Sequence, residues 1–170
     1  PWQVPSFCVV SGDTQGNIGL KATGKIPRRN KFNRHYRDGT DPNHQWQVYI
    51  SFDEMPELLN PECEWIRTAN NRTAANDFPH MLSGCWSSGH RAVRIREMLE
   101  SQLEPFTFDD FVRMQNDVIS GRAVECAPKL VNVLTSVEDS HVQEARALLA
   151  NWDGAMQVES VPAAIFNVFF

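Results

Sequence analysis

The sequence predicts an α+β fold, with strands in the first half of the chain and helices in the second. Two observations carry this. Residues 7–23 hold two short apolar runs around a Gly/Asp/Asn turn, the mark of a β-hairpin. Beyond Trp86 apolar residues recur at helical spacing behind Ser, Thr and Asp caps. The chain reads as a single partial domain over residues 1–170. A sheet-forming part, 1–86, contains a long loop at 28–45, and a helical part, 87–170, follows.

In the first part, FCVVS (7–11) and IGLKATGKI (18–26) flank the turn cluster GDTQGN, with Ile18, Leu20 and Ala22 alternating against Gly19, Lys21 and Thr23. Pro27 ends the hairpin. Residues 28–45 are polar and basic through Arg28, Arg29, Lys31, Arg34 and Arg37, with Phe32 and Tyr36 interleaved. On an acidic chain without a recognised nucleic-acid fold motif, this segment reads as a solvated loop. WQVYISF (46–52) alternates as a strand, DEMPELLNP (53–61) reads as a short helical turn closed at Asn60-Pro61, and WIRTAN (65–70) reads as the next strand. About four strands are thin for a sheet that must bury helices, so strands are expected from polypeptide outside this stretch.

In the second part, Ser87 or Ser88 caps a helix carrying Ile95, Met98, Leu99 and Leu103. Thr107 with Asp110 resembles a capping box for a second helix, which runs from Phe108 through Val118 and Ile119. Pro128 sits at or near the start of a third, with Leu130, Val133 and Leu134. Asp139 or Ser140 caps a fourth, with Val142, Ala145, Leu149 and Trp152 on one stripe and Gly154 as its stop. Ile165, Phe166, Phe169 and Phe170 also follow helical spacing.

Composition sets further limits. The 170 residues are 42% hydrophobic and 22% charged, with a formal net charge of −5. That balance argues against a general nucleic-acid or anionic-membrane binder. No apolar run approaches a membrane span, and PWQVPSF has no basic leader or long apolar stretch. Neither nucleic acid nor a membrane is therefore expected as a partner. The start at Pro1-Trp2 without methionine, and the apolar, uncapped VPAAIFNVFF, give the expectation of a piece of a longer polypeptide. Cys8, Cys63, Cys85 and Cys126 form no CxxC pair, and Cys63, His80, Cys85 and His90 match no compact zinc spacing. GxSxG, HExxH and phosphate-binding glycine loops are absent; GDTQGNIG fits neither nucleotide pattern.

Five segments nonetheless stand in a recognisable order: DTQGNIGLKATGKIP (13–27), FDEMPELLNP (52–61), WIRTANNRTAANDFP (65–79), HRAVRI (90–95) and LLANWDG (148–154). They resemble the large catalytic chain of the penicillin acylase family. These are N-terminal-nucleophile amidohydrolases that include penicillin, cephalosporin and acyl-homoserine-lactone acylases. The resemblance covers essentially the whole chain. It implies part of an N-terminal-nucleophile hydrolase αββα fold, and an internal fragment of the large chain. It implies self-cleaving precursors whose cut exposes a serine; this serine attacks a linear amide, with its own α-amino group as base. An α-amino pKa of roughly 7.7–8.0 suits that role near neutral pH.

By the same resemblance, Asn70, placed by its distance to Asp77-Phe78-Pro79, gives its side-chain amide to the oxyanion hole, while Asn71 points away and holds the turn. Arg91 in HRAVRI supports Asn70 or the substrate carbonyl region, with Arg94 as the competing candidate for that role or else a residue of a solvated helix face. The nucleophilic serine lies outside residues 1–170, so this chain alone is expected to be inactive. No cofactor is expected within these residues. Calcium binds many family members, through ligands mostly outside this stretch. The expected partners are the small chain, the rest of the large chain and a small-molecule amide. Many family members are exported, and the compartment stays open between periplasm and cytoplasm. The acyl group accepted is also open. The rival reading is a non-catalytic relic or binding module that holds an acidic partner through residues 25–37, with salt-dependent binding as its sign.

Overall fold

The computed structural model describes residues 7–29, 36–46, 48–82 and 86–170. Lys31, Phe32, Arg34, Gln47 and Cys85, which entered the sequence readings, lie outside the described residues. The architecture is mixed α+β, and the chain divides into two compact units, Pro1–Ser87 and Ser88–Phe170.

The first unit carries a three-stranded antiparallel sheet in the order β1-β2-β3: β1 Phe7–Gly12, β2 Ile18–Thr23 and β3 Glu57–Leu59. The β1–β2 hairpin pairs Phe7 with Thr23 and Gly12 with Ile18. Its turn is closed by Asp13, whose carboxylate accepts the amides of Gln15 (2.9 Å) and Asn17 (2.8 Å), while Gly16 takes the φ of +86° that the reversal requires. Asn60 ties β3 to this hairpin: its Oδ1 accepts the Ile18 amide at 2.9 Å and its Nδ2 donates to Asn17 Oδ1 at 2.9 Å. Ala22, Ile50 and Met55 form the small buried core, with Cys8, Ile26 and Leu82 packed on it.

Three expectations for this unit need correction. DEMPELLNP is not only a helical turn; the 3-10 turn covers Phe52–Glu54, and the chain then extends into β3. Among the described residues WQVYISF makes a single bridge, Pro27 with Tyr49, flanked by Arg28 N–H to Val48 C=O and Ile50 N–H to Ile26 C=O, both 2.9 Å. Pro27 occupies the position in that bridge that needs no donor, which its ring cannot supply. WIRTAN is not a strand among the described residues, where no strand ladder or bridge includes it. At Asn70 the backbone turns left-handed, φ +58°.

The second unit holds five helices among the described residues: α1 His90–Glu100, α2 Phe108–Gln115, α3 Gly121–Val133, α4 Ser140–Ala150 and α5 Val161–Phe169. Their core is Ala123, Ala127, Leu130, Leu149 and Phe166, with Trp152, Met156 and Ile165 against it. The Thr107 capping box forms: the Asp110 carboxylate accepts the Thr107 N–H (2.7 Å) and hydroxyl (2.6 Å), and these bonds hold its pKa below the usual carboxylate range. Asp139 caps α4 through the amides of His141 and Val142. Ser160 caps α5.

Elsewhere the boundaries move. The residue before α1 is Gly89, without a side-chain cap, so neither Ser87 nor Ser88 fills that role; Leu103 lies beyond the helix and is 97% exposed. α2 stops at Gln115 because residues 118–120 run extended against 154–156: Ile119 bridges Ala155, and Ser120 N–H donates to Gly154 C=O at 2.9 Å. Pro128 lies inside α3, not at its start; Ser120 caps the helix by accepting the Ala123 amide, and the buried Ala123, Ala127 and Leu130 carry it past the proline. α4 ends at Ala150, before Gly154. Gly154 has φ +85°, and a Cβ there would lie 2.8 Å from Val124 Cγ2, so glycine is required for close approach to α3.

Candidate functional site

Asn70 sits at the head of an irregular loop, residues 69–80. Ala69 before it is buried, whereas Asn70 itself is exposed. The left-handed backbone explains the residue type: asparagine is among the few non-glycine residues that adopt it readily. Three bonds fix the position. Ser87 N–H donates to Asn70 C=O at 2.9 Å, and Asn71 closes the turn, its Oδ1 accepting Ala69 N–H (3.1 Å) and its Nδ2 donating to Arg72 C=O (3.0 Å). Arg72 then spans the loop to Asn76 Oδ1 and to Ala75 C=O (3.2 Å). Asn70 is thus presented by a braced turn, not by an alternating strand.

The far end of the loop reaches a charged hub that the sequence reading missed. His80 Nε2 lies 3.0 Å from Glu54 Oε1. Glu54 also receives two contacts from Arg28 Nη2 (2.7 and 2.6 Å), the Ser51 hydroxyl (2.7 Å) and the Ser51 amide (3.2 Å). The Ser51 hydroxyl first, then Arg28, lower the Glu54 pKa to about 2. A signal was available: Ser51-Phe52-Asp53-Glu54 is a capping box in sequence as well as in structure. His80 and Arg28 join from segments far along the chain, which no local pattern reveals.

Basic residues near this hub are engaged. Besides Arg28 on Glu54, Lys25 lies over the Tyr49 ring (5.9 Å) and Arg29 over the Trp46 ring (5.4 Å).

In the second unit, Arg91 is on the first turn of α1 and is exposed. It lines a cavity of 610 Å³ together with Arg94, Met98, Met114, Asp117 and Phe166. Arg94 is not on a solvated face: its Nε and Nη2 pair with both oxygens of Asp117 at 2.9 and 2.7 Å. That fork raises the Arg94 pKa and lowers that of Asp117. Arg94 therefore braces α1 against the segment following α2.

Comparison with known proteins extends these local results. The family model described as penicillin amidase matches residues 1–170. The penicillin acylase 2 proenzyme of Pseudomonas sp. (strain SE83) is 30% identical over 99% of this chain and 22% of its own length. The acyl-homoserine lactone acylase QuiP of Pseudomonas aeruginosa is 26% identical over 90% of this chain and 20% of its own. The chain thus spans about a fifth of the length of these curated relatives. A thermostable penicillin G acylase from Alcaligenes faecalis superposes with a TM-score of 0.66 at 22% identity, covering 91% of this chain and 28% of that one, and so shares its fold. With the family model matched from the first residue to the last, the chain belongs to the penicillin amidase family, a family of amidohydrolases.

Proposed function

We propose that the protein containing these residues hydrolyses a linear amide through an acyl-enzyme, and that Asn70 stabilises the oxyanion. A serine at a processed amino terminus, outside residues 1–170, attacks the amide carbonyl. Its own α-amino group takes the hydroxyl proton and returns it to the departing amine. Water, activated by the same amine, then hydrolyses the ester and restores the serine. Negative charge gathers on the former carbonyl oxygen in both steps, and a fixed N–H donor aimed at it lowers both barriers.

The observation that carries this reading is the braced, left-handed Asn70 in a chain of an amidohydrolase family. Arg91 keeps the supporting role that the family resemblance implies.

The test separates the amide from the backbone. Alanine would strain the left-handed conformation, whereas glycine accepts it and removes only the side chain. In the whole processed enzyme, Asn70→Gly is expected to lower kcat by about 10²–10³ with little change in KM. Wild-type kcat in that variant would overturn the assignment. The 170-residue chain by itself is expected to leave chromogenic phenylacetyl and fatty-acyl amides untouched, and steady turnover by it would overturn the location of the nucleophile.

A further inference from the structure

We infer that His80 and Glu54 form the anchor that positions the Asn70 turn, His80 acting as a latch on a charge hub at the surface of the first unit. Asn70 and His80 are the two ends of one loop without regular secondary structure. Such a loop holds a side chain to catalytic tolerance only if both ends are fixed.

The contacts run unbroken between them. Ser87 N–H holds the Asn70 carbonyl, Asn71 links Ala69 to Arg72, and Arg72 reaches Ala75 and Asn76. Phe78 N–H returns to Ala75 C=O at 3.3 Å, and the Phe78 ring stands edge-on to His80, 5.7 Å between centroids at 81°. His80, 14% exposed, then meets Glu54. Glu54 closes the Phe52–Glu54 turn directly before Met55, which is 3% exposed in the core. Arg28 and Ser51 occupy the remaining acceptor sites of the carboxylate, so it cannot follow the loop if the loop moves. The loop is therefore tied at one end to the Glu54 hub, next to the buried Met55, and at the other to Ser87. His80 touches no reacting atom in this account; it is a positioning residue, and its role in turnover rests on the reading of Asn70 above.

Two variants and two readouts test the anchor in the whole processed enzyme. His80→Phe keeps the ring beside Phe78 and loses the nitrogen; His80→Gln places an amide N–H near the position of Nε2. His80→Phe is expected to speed hydrogen exchange at the Ser87 amide at least about tenfold, with Ala22 and Ile50 in the core unchanged. It should also lower kcat by about tenfold or more at constant KM, and His80→Gln should restore both. Unchanged Ser87 exchange in His80→Phe overturns the anchor whatever kcat does. Equal acceleration at Ala22 and Ile50 overturns it too, since His80 would then hold the whole unit. Faster Ser87 exchange with unchanged kcat leaves the anchor standing and removes the oxyanion role of Asn70, which the Asn70→Gly variant reports separately.

Discussion

Glu54 gathers more polar contacts than any other side chain in the first unit's described network, and it does so while partly open to water. The physical consequence is a linkage between folding and pH. Its carboxyl, ordinarily near 4.5, falls to about 2 in the folded chain. A depressed folded pKa means the unfolded chain binds the proton more readily. The stabilisation is therefore complete above about pH 4.5 and is lost as pH falls through about 2. Urea midpoints of the first unit should decline across that window, and Glu54→Gln should flatten the decline. Asp13, lowered chiefly by the Asn17 side chain, titrates in the same direction and leaves a residual slope. An unchanged profile in Glu54→Gln would show that the hub adds no folding stability. At this scale the sequence reading missed the turn at Asn70 itself. It attributed the residue to a strand, whereas a left-handed φ of +58° selects it. Nothing in WIRTAN announces that conformation, because backbone handedness at one residue is set by what the chain does on either side.

Among the elements, the helices were the more legible, since their caps are local. Thr107 with Asp110, and Asp139 before α4, act within three residues of themselves. The strands were less legible, because a strand exists only through its partner: WQVYISF has the alternation but finds one bridge, and Glu57–Leu59 lacks the alternation yet pairs with β2. Pro128 shows tertiary context overriding propensity. It lies in the interior of α3, where it cannot donate to Val124 C=O, and it is exposed, so it contributes little packing in return. Proline is about 3 kcal/mol less favourable than alanine in a helix interior, offset in part by its stiffening of the unfolded chain. Pro128→Ala is thus expected to stabilise the second unit by about 1–3 kcal/mol, read as a higher urea midpoint at unchanged slope. Destabilisation would mean that the proline ring makes a packing contribution that its exposure conceals.

For the whole molecule, the question is what each unit leaves uncovered. Leu58 and Leu59 are adjacent on β3, so they point to opposite faces of the sheet, and both are exposed, at 44% and 72%. Neither face of the sheet is therefore covered at that strand among the described residues. Among the described residues β1 and β3 are both edges in the order β1-β2-β3, with no further strand laddered onto them. In the second unit Phe108, Val158 and Val168 are 81%, 98% and 90% exposed. Single exposed apolar residues are ordinary, but an uncovered sheet with open edges is a surface that polypeptide seeks. Family relatives about five times the length of this chain have ample sequence to supply such cover. The 170-residue chain purified alone is accordingly expected to enhance the fluorescence of an apolar dye such as ANS and to sediment, at micromolar concentration, above its 19.3 kDa mass. In the whole processed protein, hydrogen exchange at the β3 amides should be slower than in the isolated chain, because the edge is then paired or covered. A monodisperse 19.3 kDa species without dye binding, and with β3 exchange equal in the two contexts, would mean that the sheet is sufficient to itself.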